Sequence, residues 1–186
     1  MNARFDLIET PLAGLIALRR RPCGDSRGFL ERIYCADELA PALESRRIAQ
    51  INRTLTQLPG TVRGLHFQYP PHAETKVVTC LRGSVFDVAV DLRRGSPSFL
   101  AWYGRVLSAD NRESLIIPEG FAHGFQTLEH DCELLYLHTA PYTPQCEGGL
   151  DALDATFNIR WPREVTQRSE RDTALPGCAA FGGIAP

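Results

Sequence analysis

The 186 residues of this chain predict an all-β barrel. Three observations carry that prediction. Helical periodicity is scarce. Short runs rich in β-branched and aromatic residues recur, each broken by Gly, Pro, Asn or Asp. Within these runs side chains of unlike character alternate, which is the period of a strand with two different faces.

The elements follow in order. Residues 14–19 and 29–34 read as the first strands. Residues 36–43 are the best helix candidate, and Pro41 limits it. Residues 48–54 form the next strand. The turn Leu58-Pro59-Gly60 then introduces 62–68, and Tyr69-Pro70-Pro71 separates that strand from 76–82. Arg82-Gly83 leads into 84–91. Arg94-Gly95-Ser96-Pro97 precedes 100–107, and Ala109-Asp110-Asn111 precedes 114–117. Residues 123–128 and 133–139 complete the set. From Asp151 the rhythm stops. Trp161-Pro162 and Pro176-Gly177 suggest an irregular segment packed across the barrel. No repeat or low-complexity tract interrupts the chain, so 1–186 reads as one domain.

Alternation assigns faces. Phe86, Val88 and Val90 share one side of 84–91, with Asp87, Ala89 and Asp91 on the other. Leu134, Tyr136 and His138 face together. On 62–68, positions 62, 64, 66 and 68 point one way, so His66 and Gln68 face together.

Composition excludes several function classes. The chain is 44% hydrophobic and 23% charged, with a formal net charge of -2. It has no apolar run of membrane-spanning length and no basic footprint for nucleic acid. No apolar stretch follows Met1-Asn2-Ala3-Arg4, so no secretory leader is expected, and the setting reads as cytoplasmic. The six cysteines form no C-x-x-C pair. They read as free thiols, several buried as small hydrophobes, Cys35 and Cys80 among them.

Chemistry concentrates in Arg63-Gly64-Leu65-His66-Phe67-Gln68 and in Lys76, ten residues beyond His66. Histidine accepts a proton near neutrality, its unperturbed pKa being about 6.5. A lysine can stabilise the negative charge left behind. An arginine can hold a phosphate or carboxylate by its planar fork. Together these types suggest carbanion or enolate chemistry on an anionic substrate. A strand histidine is equally a hydrogen-bonded core residue, and the local pattern alone leaves both readings open.

Two half-motifs narrow the fold. Five residues separate Gly60 from His66, and His123 follows a turn in Ile117-Pro118-Glu119-Gly120-Phe121-Ala122-His123-Gly124-Phe125. The pair resembles the cupin barrel, a double-stranded β-helix or jelly roll with short flanking helices. Metal-binding cupins use His-x-His. Here the pair is His66-Phe67-Gln68, and an amide carbonyl is a poor substitute for imidazole, so no metal is expected.

Further segments extend the match. They include Asp25-Ser26-Arg27-Gly28, Gln50-Ile51-Asn52, Lys76-Val77-Val78, Phe86 to Arg93, Ser96-Pro97-Ser98-Phe99, Tyr136, Tyr142, Glu147, Trp161-Pro162 and Ser169-Glu170-Arg171-Asp172. In this order and spacing, from Asp25 to Asp172, the chain resembles the dTDP-4-dehydrorhamnose 3,5-epimerase family of metal-independent cupin-fold enzymes.

The resemblance implies an isomerase that removes a proton beside the C4 ketone of a dTDP-linked 4-keto-6-deoxyhexose and returns one to the opposite face, without a cofactor. It makes His66 the base, Asp172 its carboxylate partner, Lys76 the stabiliser of the enolate oxygen and Tyr136 the acid. Arg63 would bind the diphosphate together with Arg27 of the partner subunit in a homodimer. Gln50 and Asn52 would contact nucleotide or sugar, Tyr142 and Glu147 the base, and Asp87 and His123 the pocket. Without the resemblance, Asp172 reads as a tail charge, Lys76 as a strand-end lysine, Tyr136 as a core aromatic and His123 as a turn-closing residue.

Departures occur at Leu30 and Arg32, at Leu137 after the tyrosine, and at Ala152-Leu153-Asp154. They bear on how nucleotide and sugar lie. The rival readings are an epimerase acting at only one carbon, a ketoisomerase of the same barrel class, a non-catalytic sugar-nucleotide binding protein and a metal-dependent cupin.

Overall fold

Strands that are apolar on both faces need a layer on each side, and the described residues supply two large facing sheets, a cover for each and a separate two-stranded hairpin. The computed structural model describes residues 3–185. Met1 and Asn2, the start of the segment read for a leader, and Pro186 at the end of the predicted domain lie outside the described residues. Among the described residues no helix is long and apolar enough to cross a membrane.

The strands are β1 (Phe5–Glu9), β2 (Ile16–Arg20), β3 (Cys23–Asp25), β4 (Gly28–Leu30), β5 (Gln50–Thr56), β6 (Val62–Gln68) and β7 (Lys76–Arg82). They continue with β8 (Ser84–Asp91), β9 (Trp102–Ser108), β10 (Glu113–Ile117), β11 (Phe121–Thr127), β12 (Cys132–His138) and β13 (Glu147–Gly149). Two one-turn helices, α1 (Ala36–Leu39) and α2 (Glu170–Thr173), flank them. One sheet has the order β1-β2-β10-β7-β12-β5 and the other β13-β6-β11-β8-β9. Neighbouring strands pair antiparallel, as in the predicted jelly roll.

The faces follow the alternation. Between the sheets lies a core of Val78, Cys80 and Leu134 from one and Val85, Ala89 and Phe125 from the other. Val88 and Val90 point the opposite way and are covered by Leu150, Phe157, Cys178 and Ile184. The irregular C-terminal segment is thus a lid on the outer face of the five-stranded sheet. Trp161 and Trp102 donate their indole N–H groups to Ala152 O (3.1 Å) and Phe157 O (2.9 Å). On the outer face of the six-stranded sheet, Leu39 and Leu43 cover Leu18, Val77 and Leu137. Each such leucine contributes about 1.5–3 kcal/mol by burial.

Residues 62–68, 76–82 and 84–91 form strands over the predicted spans. The span 29–34 does not. Only Gly28–Leu30 is extended, in a hairpin with Cys23–Asp25, because Glu31 turns inward to pair with the buried Arg20 at 3.1 Å. The helix ends at Leu39, short of the predicted 43 and ahead of Pro41. β1 was not expected: it sends Phe5 and Ile8 into different clusters and leaves Leu7 44% exposed, so its burial does not follow a simple apolar and polar alternation. Strict alternation fails at Arg63. Against β11, His66 pairs with His123 and Arg63 with Phe125, so β6 carries one extra residue. Arg63 and His66 therefore line one cavity despite the odd spacing between them.

Candidate active site

The site starts from two facing glycines. Gly64 has φ +121, and a Cβ there would lie 2.6 Å from Gly124 Cα and 2.8 Å from His123 O. Only glycine permits this approach. It brings β6 against β11 and turns the Gly64 N–H toward Asp172, whose Oδ2 accepts it at 3.0 Å. Asp172 Oδ1 lies 2.8 Å from His66 Nε2. The carboxylate rides on α2, whose cap Ser169 accepts from the Asp172 N–H at 3.0 Å. Burial would raise the Asp172 pKa. The hydrogen bonds from His66 and Gly64 outweigh it and hold the carboxyl below its usual range. An ionised carboxylate only accepts, so the neutral His66 ring carries its proton on Nε2 and leaves Nδ1 with a free lone pair.

The opposite wall comes from the six-stranded sheet. Tyr136 on β12 stands across from Asn52 and Val78, and His138 across from Gln50 and Lys76. Tyr136 is 9% exposed. Burial, and then the charge of Asp87, push its phenol up, so it stays protonated well above neutrality. Its ring meets His123 edge-on at 6.0 Å and stacks on His138 at 5.9 Å. His123 is held by Asp87, with 2.8 Å between Nε2 and Oδ2. Burial raises the Asp87 pKa, against the opposing effects of His123 and the Lys76 charge.

Between these walls is a cavity of about 370 Å³ lined by Arg63, His66, Lys76, His123 and Tyr136. A basic imidazole and a protonated phenol thus face each other from different sheets, with an ammonium in the same space. That arrangement can deprotonate one face of a carbon acid and protonate the other.

A family profile described as dTDP-4-dehydrorhamnose 3,5-epimerase matches residues 9–180. The chain belongs to the dTDP-4-dehydrorhamnose 3,5-epimerase family. A Sinorhizobium fredii relative of that description is 40% identical over 166 residues, spanning 89% of this chain and 85% of the relative. The Legionella pneumophila dTDP-6-deoxy-D-glucose-3,5-epimerase, solved in complex with dTDP-4-keto-L-rhamnose, is 37% identical. It superimposes with a TM-score of 0.88 over 93% of this chain and 92% of its own. A 4-keto-6-deoxy sugar epimerase from the novobiocin gene cluster of Streptomyces spheroides is 33% identical, with a TM-score of 0.92 over 100% and 95% of the two chains.

In this member of the epimerase family, the remaining expected residues fall into three places. Asn52, Tyr142 and Glu147 line the cavity, the last two at its mouth. The Tyr142 hydroxyl donates to Glu147 Oε2 at 2.9 Å, and Arg171 pairs with Oε1 at 2.7 Å. Gln50 sits beside the cavity, accepting the Tyr142 N–H at 3.0 Å and donating to Asn52 Oδ1 at 3.2 Å. Arg27 is elsewhere. It lies on the β3–β4 hairpin, 88% exposed and paired with Asp25. Within one chain it does not reach the site.

Gln68, at the ligand position of metal cupins, is engaged otherwise. Its Oε1 accepts the Thr143 N–H at 2.6 Å, and its Nε2 donates to His72 O at 3.0 Å, so it pins the loop bearing Tyr142. Among the described residues no group of three or more His, Cys, Asp or Glu is placed to hold a metal.

Sequence reasoning missed Glu74, His138 and Arg171 as cavity residues. The signal for His138 was present, since it shares a face with Tyr136. Arg171 adjoins Asp172, and the spacing of Ser169 and Asp172 is that of a capped turn. Glu74 stands in an irregular stretch after β6, where periodicity assigns no face.

Proposed function

We propose that this chain inverts C3 and C5 of a dTDP-linked 4-keto-6-deoxyhexose, yielding the dTDP-4-keto-L-rhamnose configuration. One observation carries the reading: His66 and Tyr136 occupy opposite sheets across a single cavity that also holds Lys76. A proton beside a ketone is removable only if the enolate oxygen is stabilised as charge develops, and the nearly buried Lys76 ammonium supplies that stabilisation. His66 Nδ1 takes the proton, and Asp172 stabilises the resulting imidazolium. Tyr136 delivers its phenolic proton to the far face. Each inversion leaves one proton on His66 and one fewer on Tyr136, so the site re-equilibrates before the second carbon reacts.

Binding comes from the mouth. Among the described residues Arg63 has no carboxylate partner, which suits it to the diphosphate. Tyr142 stacks on the base, and Glu147, Gln50 and Asn52 offer polar contacts to nucleotide and sugar. Asp87 fixes His123 against the sugar pocket. Arg27 completes the diphosphate site from the partner of a homodimer. Support for that lies in the exposed hairpin carrying it, where Phe29 and Leu30 are 65% and 67% exposed and call for a cover.

The test is proton NMR of dTDP-4-keto-6-deoxyglucose with the protein in D2O. Deuterium entering C3 and C5 with inversion at both is the expected result. Exchange at one carbon alone makes the chain a single-site epimerase, and no exchange at either overturns the reading.

A further inference from the structure

Glu74 places a carboxylate where the reaction needs a cation. Its Oε1 lies 3.1 Å from the Lys76 ammonium, and its Oε2 lies 2.7 Å from His138 Nδ1. All three side chains are nearly buried, at 7%, 11% and 13% exposure for Glu74, Lys76 and His138. Lys76 and His138 face each other across the β7–β12 pairing, and Glu74 spans both from the approach to β7. Beyond His138, Nε2 lies 3.4 Å from Asn52 Nδ2. The amide nitrogen can only donate, so Nε2 accepts and Nδ1–H points at Glu74.

We propose that Glu74 is the positioning residue for Lys76, with His138 holding Glu74 in place, and that the three form a relay fixing the ammonium toward the enolate oxygen. This rests on the epimerase reading above. An ammonium has three N–H donors on a flexible stem. One spent on Glu74 fixes the head group and leaves two for the substrate oxygen. The carboxylate would neutralise Lys76 less if something shared its charge, and the His138 N–H does so by taking its second oxygen. Burial would raise the Glu74 pKa, but His138 and Lys76 hold it below the usual carboxylate range, so Glu74 is ionised at neutral pH. The ring of His138 is braced in turn by its stack on Tyr136. The acid and the oxyanion stabiliser are thereby registered to one another through a single imidazole.

Glu74 touches Lys76 and His138 and none of the residues assigned to the nucleotide, so kcat and KM should separate. Glu74→Gln keeps the shape and removes the charge. We expect its kcat and its proton washout into D2O to fall together by about ten- to a hundredfold. Its KM, and its Kd for dTDP by calorimetry, should stay within about twofold of wild type. His138→Phe keeps the stacked ring and loses the N–H, and should give a smaller fall, about threefold or more, again in kcat alone. A Glu74→Gln kcat within twofold of wild type overturns the proposal. So does a fall matched by an equal loss of dTDP affinity, which marks a merely structural role. Should Glu74→Gln not fold, an unchanged kcat in His138→Phe overturns it. Wild-type protein that binds dTDP yet exchanges no proton overturns the epimerase reading itself, and this inference with it.

Discussion

His66 and Tyr136 divide one proton transfer between two walls, and substitutions should divide it too. Tyr136→Phe removes a hydroxyl and little volume, so stability should change by about 1 kcal/mol or less. His66 can still take a proton and return a deuteron to the same face. The variant should retain washout into D2O while losing net inversion, followed by NMR and by product configuration. Loss of both would make Tyr136 the base, and retention of both would make it a core aromatic. His66→Ala should abolish exchange at both carbons, because His123, the neighbouring imidazole, is assigned to the pocket and not to proton abstraction. Asp172→Asn should slow exchange by about a hundredfold or more, since the ring loses the acceptor that sets its tautomer. Wild-type exchange in His66→Ala would show the base to be misassigned.

At the scale of elements, the site depends on how closely β6 approaches β11. Gly64→Ala forces a Cβ to within 2.6 Å of Gly124 Cα at a φ of +121. We expect a loss of at least about 2 kcal/mol in urea unfolding, together with loss of turnover, because the N–H that anchors Asp172 moves with the strand. A variant as stable and active as wild type would show that the close approach is dispensable.

The end of β8 carries a pH-sensitive clasp. Asp91 is buried, which opposes its ionisation, yet Arg93 (2.7 Å), Ser96 and Ser98 (both 2.6 Å) hold it. Its pKa is lowered to about 2. The folded value lies below the unfolded one of about 3.9. Its contribution, about 2 kcal/mol, is therefore complete above that unfolded value and is lost as pH falls toward the folded one. Asp91→Asn should lower the urea midpoint at neutral pH, with the gap to wild type closing below pH ~4. A gap independent of pH would remove the charge from the account.

On the scale of the whole molecule, the described chain has the cavity and lacks one of its expected cations. Arg27 is held on the outer hairpin by Asp25, beside exposed Phe29 and Leu30, while Ile51 on the edge strand β5 is 61% exposed. If Arg27 acts in trans, Arg27→Ala and His66→Ala should each be nearly inactive alone. Mixed after unfolding and refolding together, they should recover about a quarter of wild-type activity, since half the dimers carry one intact site of two. No recovery in a mixture shown to contain heterodimers would place Arg27 outside the partner's site.

Much of the barrel was written locally. The strands of residues 62–91 were legible because period-2 alternation and Pro/Gly turns are properties of neighbours in the chain, and the His66, Lys76 and Tyr136 set lies on such strands. Tertiary structure alone decided the rest. β1 and β13 are edge strands whose pairing comes from partners distant in sequence. The extra residue in β6 turned Arg63 into the cavity against the alternation, because only packing on β11 reveals it. Asp172 is 106 residues from His66, and the family resemblance paired them where the local sequence of neither names the other; the structure adds the means, a one-turn helix on the C-terminal lid that joins them. Glu74 bridges Lys76 and His138 from a stretch without periodicity. Sequence determines which side chains share a strand face, since that geometry repeats every two residues. Which faces meet across the cavity is decided by the closure of the sheets, a contact between residues that the chain holds far apart.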